Sequence, residues 1–158
     1  MSFEAVQSFI AQNGLADRVH HFEVSSATVQ LAAEALGCAP QRIAKSLSFL
    51  AQGQPILVVA AGDAKVDNAR YKAQFGCKAT MLTPAQAVEL IGHAVGGVCP
   101  FCLKSGVRVY LDESLRRFET VYPACGDAAS AVELTLPELE KLSGGSWVDV
   151  CKGWRDEG

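Results

Sequence analysis

The sequence predicts an α+β (mixed α/β) fold: a mixed, partly closed β-sheet or barrel with helices packed around it. Three observations carry this. Strand-like and helix-like segments interleave without a steady strand-helix-strand period. Two of the strand-like runs are separated only by Gln52-Gly53-Gln54, the pattern of an antiparallel hairpin. The 158 residues are 49% hydrophobic and only 20% charged, enough apolar material for one compact core. No repeat, low-complexity tract or composition break divides them, so a single domain over residues 1–158 is expected.

The elements follow in order. Phe3, Val6 and Ile10 share one helical face behind Ser2 as a cap, and Gly14 stands where a left-handed terminal residue belongs. Residues 19–24 read as a short strand, and a second helix runs from Thr28 to Gly37 before Pro40. Residues 44–50 and 55–61 are the hairpin strands, with Lys45 near the start of the first. Residues 67–75 form a helix ended by Gly76, and residues 78–82 a strand. Thr83-Pro84-Ala85-Gln86 combines a capping box with proline at the first helical position, predicting a helix over 84–91 that stops at Gly92. Residues 107–111, 119–124 and 131–135 read as strands, and Thr135-Leu136-Pro137-Glu138 opens a last helix ending near Gly144-Gly145.

Charge and cysteine usage limit the partners. The formal net charge is −3 and the pI about 5.6, so an RNA partner must be met by a local patch or a pocket rather than by a general cationic coat. Lys65, Arg70, Lys72 and Lys78 face only Asp67 within residues 65–78, whereas residues 127–158 are acid-rich. That segregation predicts one basic side, able to meet a phosphate backbone through a salt-sensitive attraction, or else a solvated helix face. The longest apolar run, residues 56–61, falls far short of the roughly 20 residues a membrane-crossing helix needs. The N-terminus shows no secretory pattern, so six reduced cysteines and a cytoplasmic location are expected.

Three features could carry chemistry. Gly96-Gly97-Val98-Cys99-Pro100 can bring main-chain amides close to a carbonyl oxygen or a phosphate, or it is an ordinary Gly/Pro connection. It is no phosphate loop, because no Lys-Ser or Lys-Thr follows. Lys45 is a lone cation in an apolar strand, pointing either into a site or out to solvent. Cys99 and Cys102 form a CxxC pair that suggests zinc or thiol-redox chemistry, but no long helix follows and no second close ligand pair exists except His20-His21, whose side chains point to opposite faces of a strand. His93 lies close enough in sequence to line the same pocket as the glycine pair. No Ser/His/Asp constellation is recognisable by spacing, so no protein nucleophile is evident.

Taken as an ordered set, Ala32-Ala33-Glu34-Ala35-Leu36-Gly37, Ile43-Ala44-Lys45-Ser46-Leu47, Gly62-Asp63-Ala64-Lys65-Val66-Asp67, Gly92-His93-Ala94-Val95-Gly96-Gly97-Val98-Cys99-Pro100-Phe101 and Ala124-Cys125-Gly126 resemble the YbaK/EbsC family. These are free-standing relatives of the editing domain inserted in bacterial prolyl-tRNA synthetases. The resemblance implies a trans-editing hydrolase that deacylates misacylated tRNA, of the prolyl type and bearing a small or apolar wrong amino acid. A non-catalytic module binding a tRNA end or a nucleotide is the alternative. It further implies catalytic roles for Lys45, Gly97 and Val98, and substrate contacts from Phe22, His93, Gly96, Cys99, Pro100, Ala124 and Gly126. No cofactor or metal is expected. The expected partners are the misacylated tRNA 3′ end and an aminoacyl-tRNA synthetase, with no membrane. Two departures stand out: Cys102 replaces the family loop's final glycine, which predicts a different loop exit, and Phe22, Ala124 and Ala131 stand where the cysteinyl-tRNA deacylase branch has polar side chains.

Overall fold

The computed structural model describes residues 2–155. Helix α1 (Ser2–Gln12) buries Val6 and Ile10 and gives way to Gly14 at φ +79°. Ser2 lies inside the helix rather than capping it, and its hydroxyl donates to the Gly92 carbonyl at 3.0 Å, tying α1 to a distant loop. Strand β1 (Val19–His21) stops three residues short of the predicted end. Helix α2 (Val29–Leu36) has the predicted caps: Thr28 Oγ1 accepts from the Leu31 amide, and Gly37 is left-handed.

Strands β2 (Ile43–Ala51) and β3 (Gln54–Ala61) form the hairpin, with Gln52 and Gly53 both at positive φ, as a tight two-residue turn requires. Strand β4 (Lys65–Val66) and helix α3 (Asn68–Phe75) follow, α3 capped by Asp67 and Gly76. The Thr83 capping box opens α4 (Pro84–Gln86), which continues as a π-turn over Ala87–Ile91, its end marked by the Gly92 amide bonding five residues back to the Ala87 carbonyl. The remaining elements are β5 (Arg108–Asp112), β6 (Thr120–Pro123), β7 (Ser130–Val132), β8 (Leu134–Thr135), α5 (Leu136–Ser143), β9 (Ser146–Val148) and β10 (Cys151–Lys152).

Strands β8-β6-β2-β3-β5-β9 form one mixed sheet that curls into a half-barrel whose two edges do not join. β2 and β3 are antiparallel, while β2–β6, β3–β5 and β5–β9 are parallel. Residues 56–61 of β3 are all buried, the continuous apolar run expected of a strand covered on both faces. Each of Ile56, Leu57, Val58 and Val59 contributes about 1.5–3 kcal/mol by leaving water. Two short antiparallel ribbons, β1–β7 and β4–β10, stand apart from the main sheet.

Two predicted strands take other forms. Residues 78–82 contribute only a bridge between Met81 and Phe49. Residues 131–135 split at Glu133 into β7 and β8, which belong to different sheets. Glu133 breaks the run because its carboxylate turns to accept from the Tyr122 hydroxyl at 3.1 Å and the Thr120 hydroxyl at 3.2 Å. The predicted charge segregation is only partly kept, since the C-terminal segment folds back on the basic one: β10 pairs with β4 and Asp149 pairs with Arg70 at 3.3 Å, while Lys65 faces Lys152. No helix among the described residues is long and apolar enough to cross a membrane.

Candidate active site

The outer edge of β2 is covered in two pieces. β6 pairs with Ile43 and Ala44, and the 80–82 segment bonds farther along, with the Leu82 amide on the Ser48 carbonyl (3.1 Å) and the Leu50 amide on the Thr80 carbonyl (2.9 Å). Between them, the edge at residues 45–47 carries no partner strand. A cleft of about 280 Å³ opens there. Strand alternation places the main-chain N–H and C=O of Ser46 on the same edge as those of Ser48 and Leu50. The buried Ser46 hydroxyl has no hydrogen-bond partner among the described residues.

Lys45 is the one charged residue lining the cleft among the described residues. Its ammonium donates to the Ala64 carbonyl. Burial lowers its pKa from the ordinary lysine value, partly countered by Cys151 and Asp63, while the charge on Lys65 lowers it further. The segment that presents Ala64 is braced from below. Asp63 is bonded to Arg117 at 2.9 Å, and β10 clasps β4. Fully buried Asp112 accepts from the Ser114 and Val150 amides, both at 2.9 Å, and the Ser114 hydroxyl accepts from the Ala61 amide at 3.0 Å.

The opposite wall is the glycine loop. Val95, Gly96 and Val98 line the cleft, facing Ser26, Ala27 and the start of α2. Gly97 packs so tightly that a Cβ there would lie 2.5 Å from the Asp127 Cα and 2.6 Å from the Gly126 carbonyl carbon. Its N–H is already given to the Ala94 carbonyl at 3.0 Å. Gly97 is therefore tightly packed, with its N–H engaged inside the loop. The N–H groups of Gly96 and Val98 have no hydrogen-bond partner among the described residues.

The other predicted site residues divide. Ala124 lines the cleft, together with Tyr122, Ser130 and Ala131. Gly126 lies behind Gly97, backing the loop. His93 is 1% exposed beneath the loop, and its Nε2 bonds the Phe101 carbonyl at 2.7 Å, with Cys99 Sγ at 3.6 Å. Burial lowers the His93 pKa, so the neutral ring donates through Nε2 and leaves Nδ1 without a partner. Cys99 is fully buried and Pro100 lines a groove on the loop's other side, with Phe9 and Leu103. Phe22 bonds its amide to the Ala129 carbonyl at 2.7 Å and stacks near His20, outside the cleft lining. The polar lining of Ser48, Ser130 and Tyr122 escaped sequence reading; alternation in 119–124 was the available signal for Tyr122.

The cysteine pair is divided by burial, with Cys99 enclosed and Cys102 exposed. Burial raises the Cys99 thiol pKa, the reverse of an activated thiol, and all six cysteines are free. No cluster of three or more His, Cys, Asp or Glu among the described residues could hold a metal. Cys102 has φ +54°, the left-handed region that favours glycine, so the loop turns at this residue as a glycine would.

The fold and the cleft together define a small α+β domain in which one lysine and a glycine loop line the same cleft. The sequence profile of the aminoacyl-tRNA editing domain family matches residues 23–142, and the chain belongs to that family. The uncharacterized protein YwhH of Bacillus subtilis (strain 168) is 53% identical over 156 residues, covering 98% of this chain and 99% of that one. A proline–tRNA ligase of Lactiplantibacillus plantarum is 28% identical over 90 residues, 56% of this chain but 16% of the ligase. A crystal structure described as a candidate trans-editing enzyme for prolyl tRNA synthetase superposes with a TM-score of 0.86 at 29% identity, covering 96% of this chain and 98% of that one.

Proposed function

We propose that the whole chain works as one trans-acting deacylase that hydrolyses misacylated tRNA, of the prolyl type and carrying a small or apolar wrong amino acid. The observation that carries the reading is that Lys45 and the Gly96 and Val98 segment line one cleft, although they stand some fifty residues apart in sequence. The cleft lining holds serines but no carboxylate or imidazole to activate them, which points to water or a substrate hydroxyl as the attacking group. With water, its oxygen bonds to the ester carbonyl carbon, the bond to the ribose oxygen breaks, and a water proton passes to that oxygen. The products are free amino acid and uncharged tRNA.

The residues take distinct parts in this reading. The unpartnered N–H groups of Gly96 and Val98 stabilise the negative charge that develops on the carbonyl oxygen. Lys45, fixed by the Ala64 carbonyl, positions the terminal adenosine or its phosphate. Ala32, Ala44, Ala124 and Ala131 leave an apolar lining suited to a small side chain. The description of the solved neighbour and the match to a proline–tRNA ligase support the prolyl assignment. An aminoacyl-tRNA synthetase that delivers the substrate, and a cytoplasmic setting, complete the proposal.

The test is a panel of mischarged tRNAs, alanyl and cysteinyl forms included. The expected result is release of one small amino acid from tRNA of the prolyl type. Binding of tRNA without turnover of any of them would replace the enzyme by a non-catalytic binding module.

A further inference from the structure

We propose that the outer face of the β4–β10 ribbon binds the phosphodiester backbone of the nucleic acid, with Lys65 and Lys152 as the contacting ammonium groups. The proposal rests on the deacylase reading, since it places the chain of phosphates that leads to the cleft. The ribbon has only two residue pairs, Val66 with Cys151 and Lys65 with Lys152. Cys151 is fully buried, so alternation turns the first pair inward and the lysine pair outward, where both are exposed. Like charges placed directly opposite each other on a ribbon are destabilising.

Among the described residues, no carboxylate relieves that repulsion. Neither ammonium has a carboxylate partner among the described residues, because the neighbouring acids are engaged elsewhere. Asp63 pairs with Arg117, Asp67 with Arg70, and Asp149 with both Arg70 and Arg155. Arg117 and Arg155 lie 5.1 and 4.5 Å from the Trp154 ring, so their charges also stay beside the ribbon. A chain with a net charge of −3 thus keeps a cationic corner that the carboxylates among the described residues leave open. An anionic ligand is what such a corner lacks.

Its position identifies the ligand. Lys65 directly follows Ala64, whose carbonyl holds the Lys45 ammonium, and the Lys65 charge is close enough to depress the Lys45 pKa. The corner therefore adjoins the cleft at its cationic end. The other flanks of the cleft expose Val24, Leu31, Met81, Val88 and Val95, each lining it or within two residues of a lining position. Those flanks suit apolar faces of bases. Phosphates are left with the lysine end.

The experiment measures binding of uncharged tRNA by fluorescence anisotropy across a salt series, for the wild type and for Lys65→Gln/Lys152→Gln, alongside deacylation kinetics. The double variant is expected to bind about tenfold more weakly, with the salt slope reduced by roughly 1 per lysine. The kinetic loss should fall on KM rather than kcat, and should shrink on an aminoacyl ester of adenosine, which has no phosphodiester chain. Lys65→Arg/Lys152→Arg should restore affinity and slope. Wild-type affinity and slope in the glutamine variant would overturn the proposal, as would an equal loss on the adenosine ester. Displacement of tRNA by inorganic phosphate beyond its ionic-strength effect would mark a free-phosphate site and also overturn it. If the wild type deacylates nothing yet binds tRNA through these lysines, the deacylase reading falls and the ribbon assignment stands.

Discussion

The two walls of the cleft are built on different physics. Lys45 is held by a hydrogen bond to the Ala64 carbonyl, and its surroundings are titratable: Asp63, Lys65 and Cys151 all act on its charge. The glycine loop has no charged lining residue and is fixed by contact, with Gly97 pressed on the 126–127 backbone and neutral His93 bonded beneath it. One wall should therefore respond to charge and to alkaline pH, the other to volume and, through buried His93, to acid. Substitutions on the two sides ought to separate activity from stability.

The largest expected effect is on the lysine wall. Lys45→Ala should reduce deacylation by about 10²-fold, the scale of losing substrate positioning. Its urea midpoint should stay close to wild type, which equilibrium unfolding followed by circular dichroism will show. On the opposite wall, Gly97→Ala has nowhere to put its methyl group. It should cost about 1–3 kcal/mol of stability as overpacking, read from the same urea transitions.

A pH comparison sharpens the contrast. If the charged form of Lys45 positions the ester, the alkaline limb of kcat/KM should lie below the ordinary lysine pKa, because burial depresses it. The His93 wall responds on the acid side. Its folded pKa is lowered below 6.5, so the unfolded chain binds the proton first, and stability is lost as pH falls from about 6.5 toward the folded value. Thermal melts between pH 7 and 5 should show this extra slope in the wild type and a flatter one in His93→Asn. The smallest effect concerns the loop exit: Cys102→Gly should gain less than about 1 kcal/mol in the urea midpoint, by relieving a non-glycine left-handed residue.

Much of this was readable from the letters because it is local. The Thr28, Thr83 and Thr135 caps, the Gly37, Gly76 and Gly144 helix ends and the Gln52-Gly53 turn depend on neighbours a few residues away, and the structure has them all. What failed to show depends on long-range partners. β4 and β10 are two residues each, too short for any period, and exist only because residues 65–66 meet 151–152. Ser2 reads as a cap until Gly92 supplies a carbonyl for it, and 131–135 reads as one strand until Tyr122 draws Glu133 away. The cleft residues were found in part: Lys45, Gly96, Val98 and Ala124 line it, while Phe22, His93, Cys99 and Pro100 do not. Sequence proximity to a loop says which residues travel together, and packing decides which side they face.

The β4–β10 clasp has a consequence for synthesis. The strand that clasps the support of Lys45 is translated more than a hundred residues after it. A chain lacking Cys151 and Lys152 would carry the lysine and most of the core and hold the 62–66 segment through Asp63 and Arg117 without the β10 clasp. The clasp closes only once both strands exist, so this support of the lysine forms after the local β2–β3 hairpin can have formed.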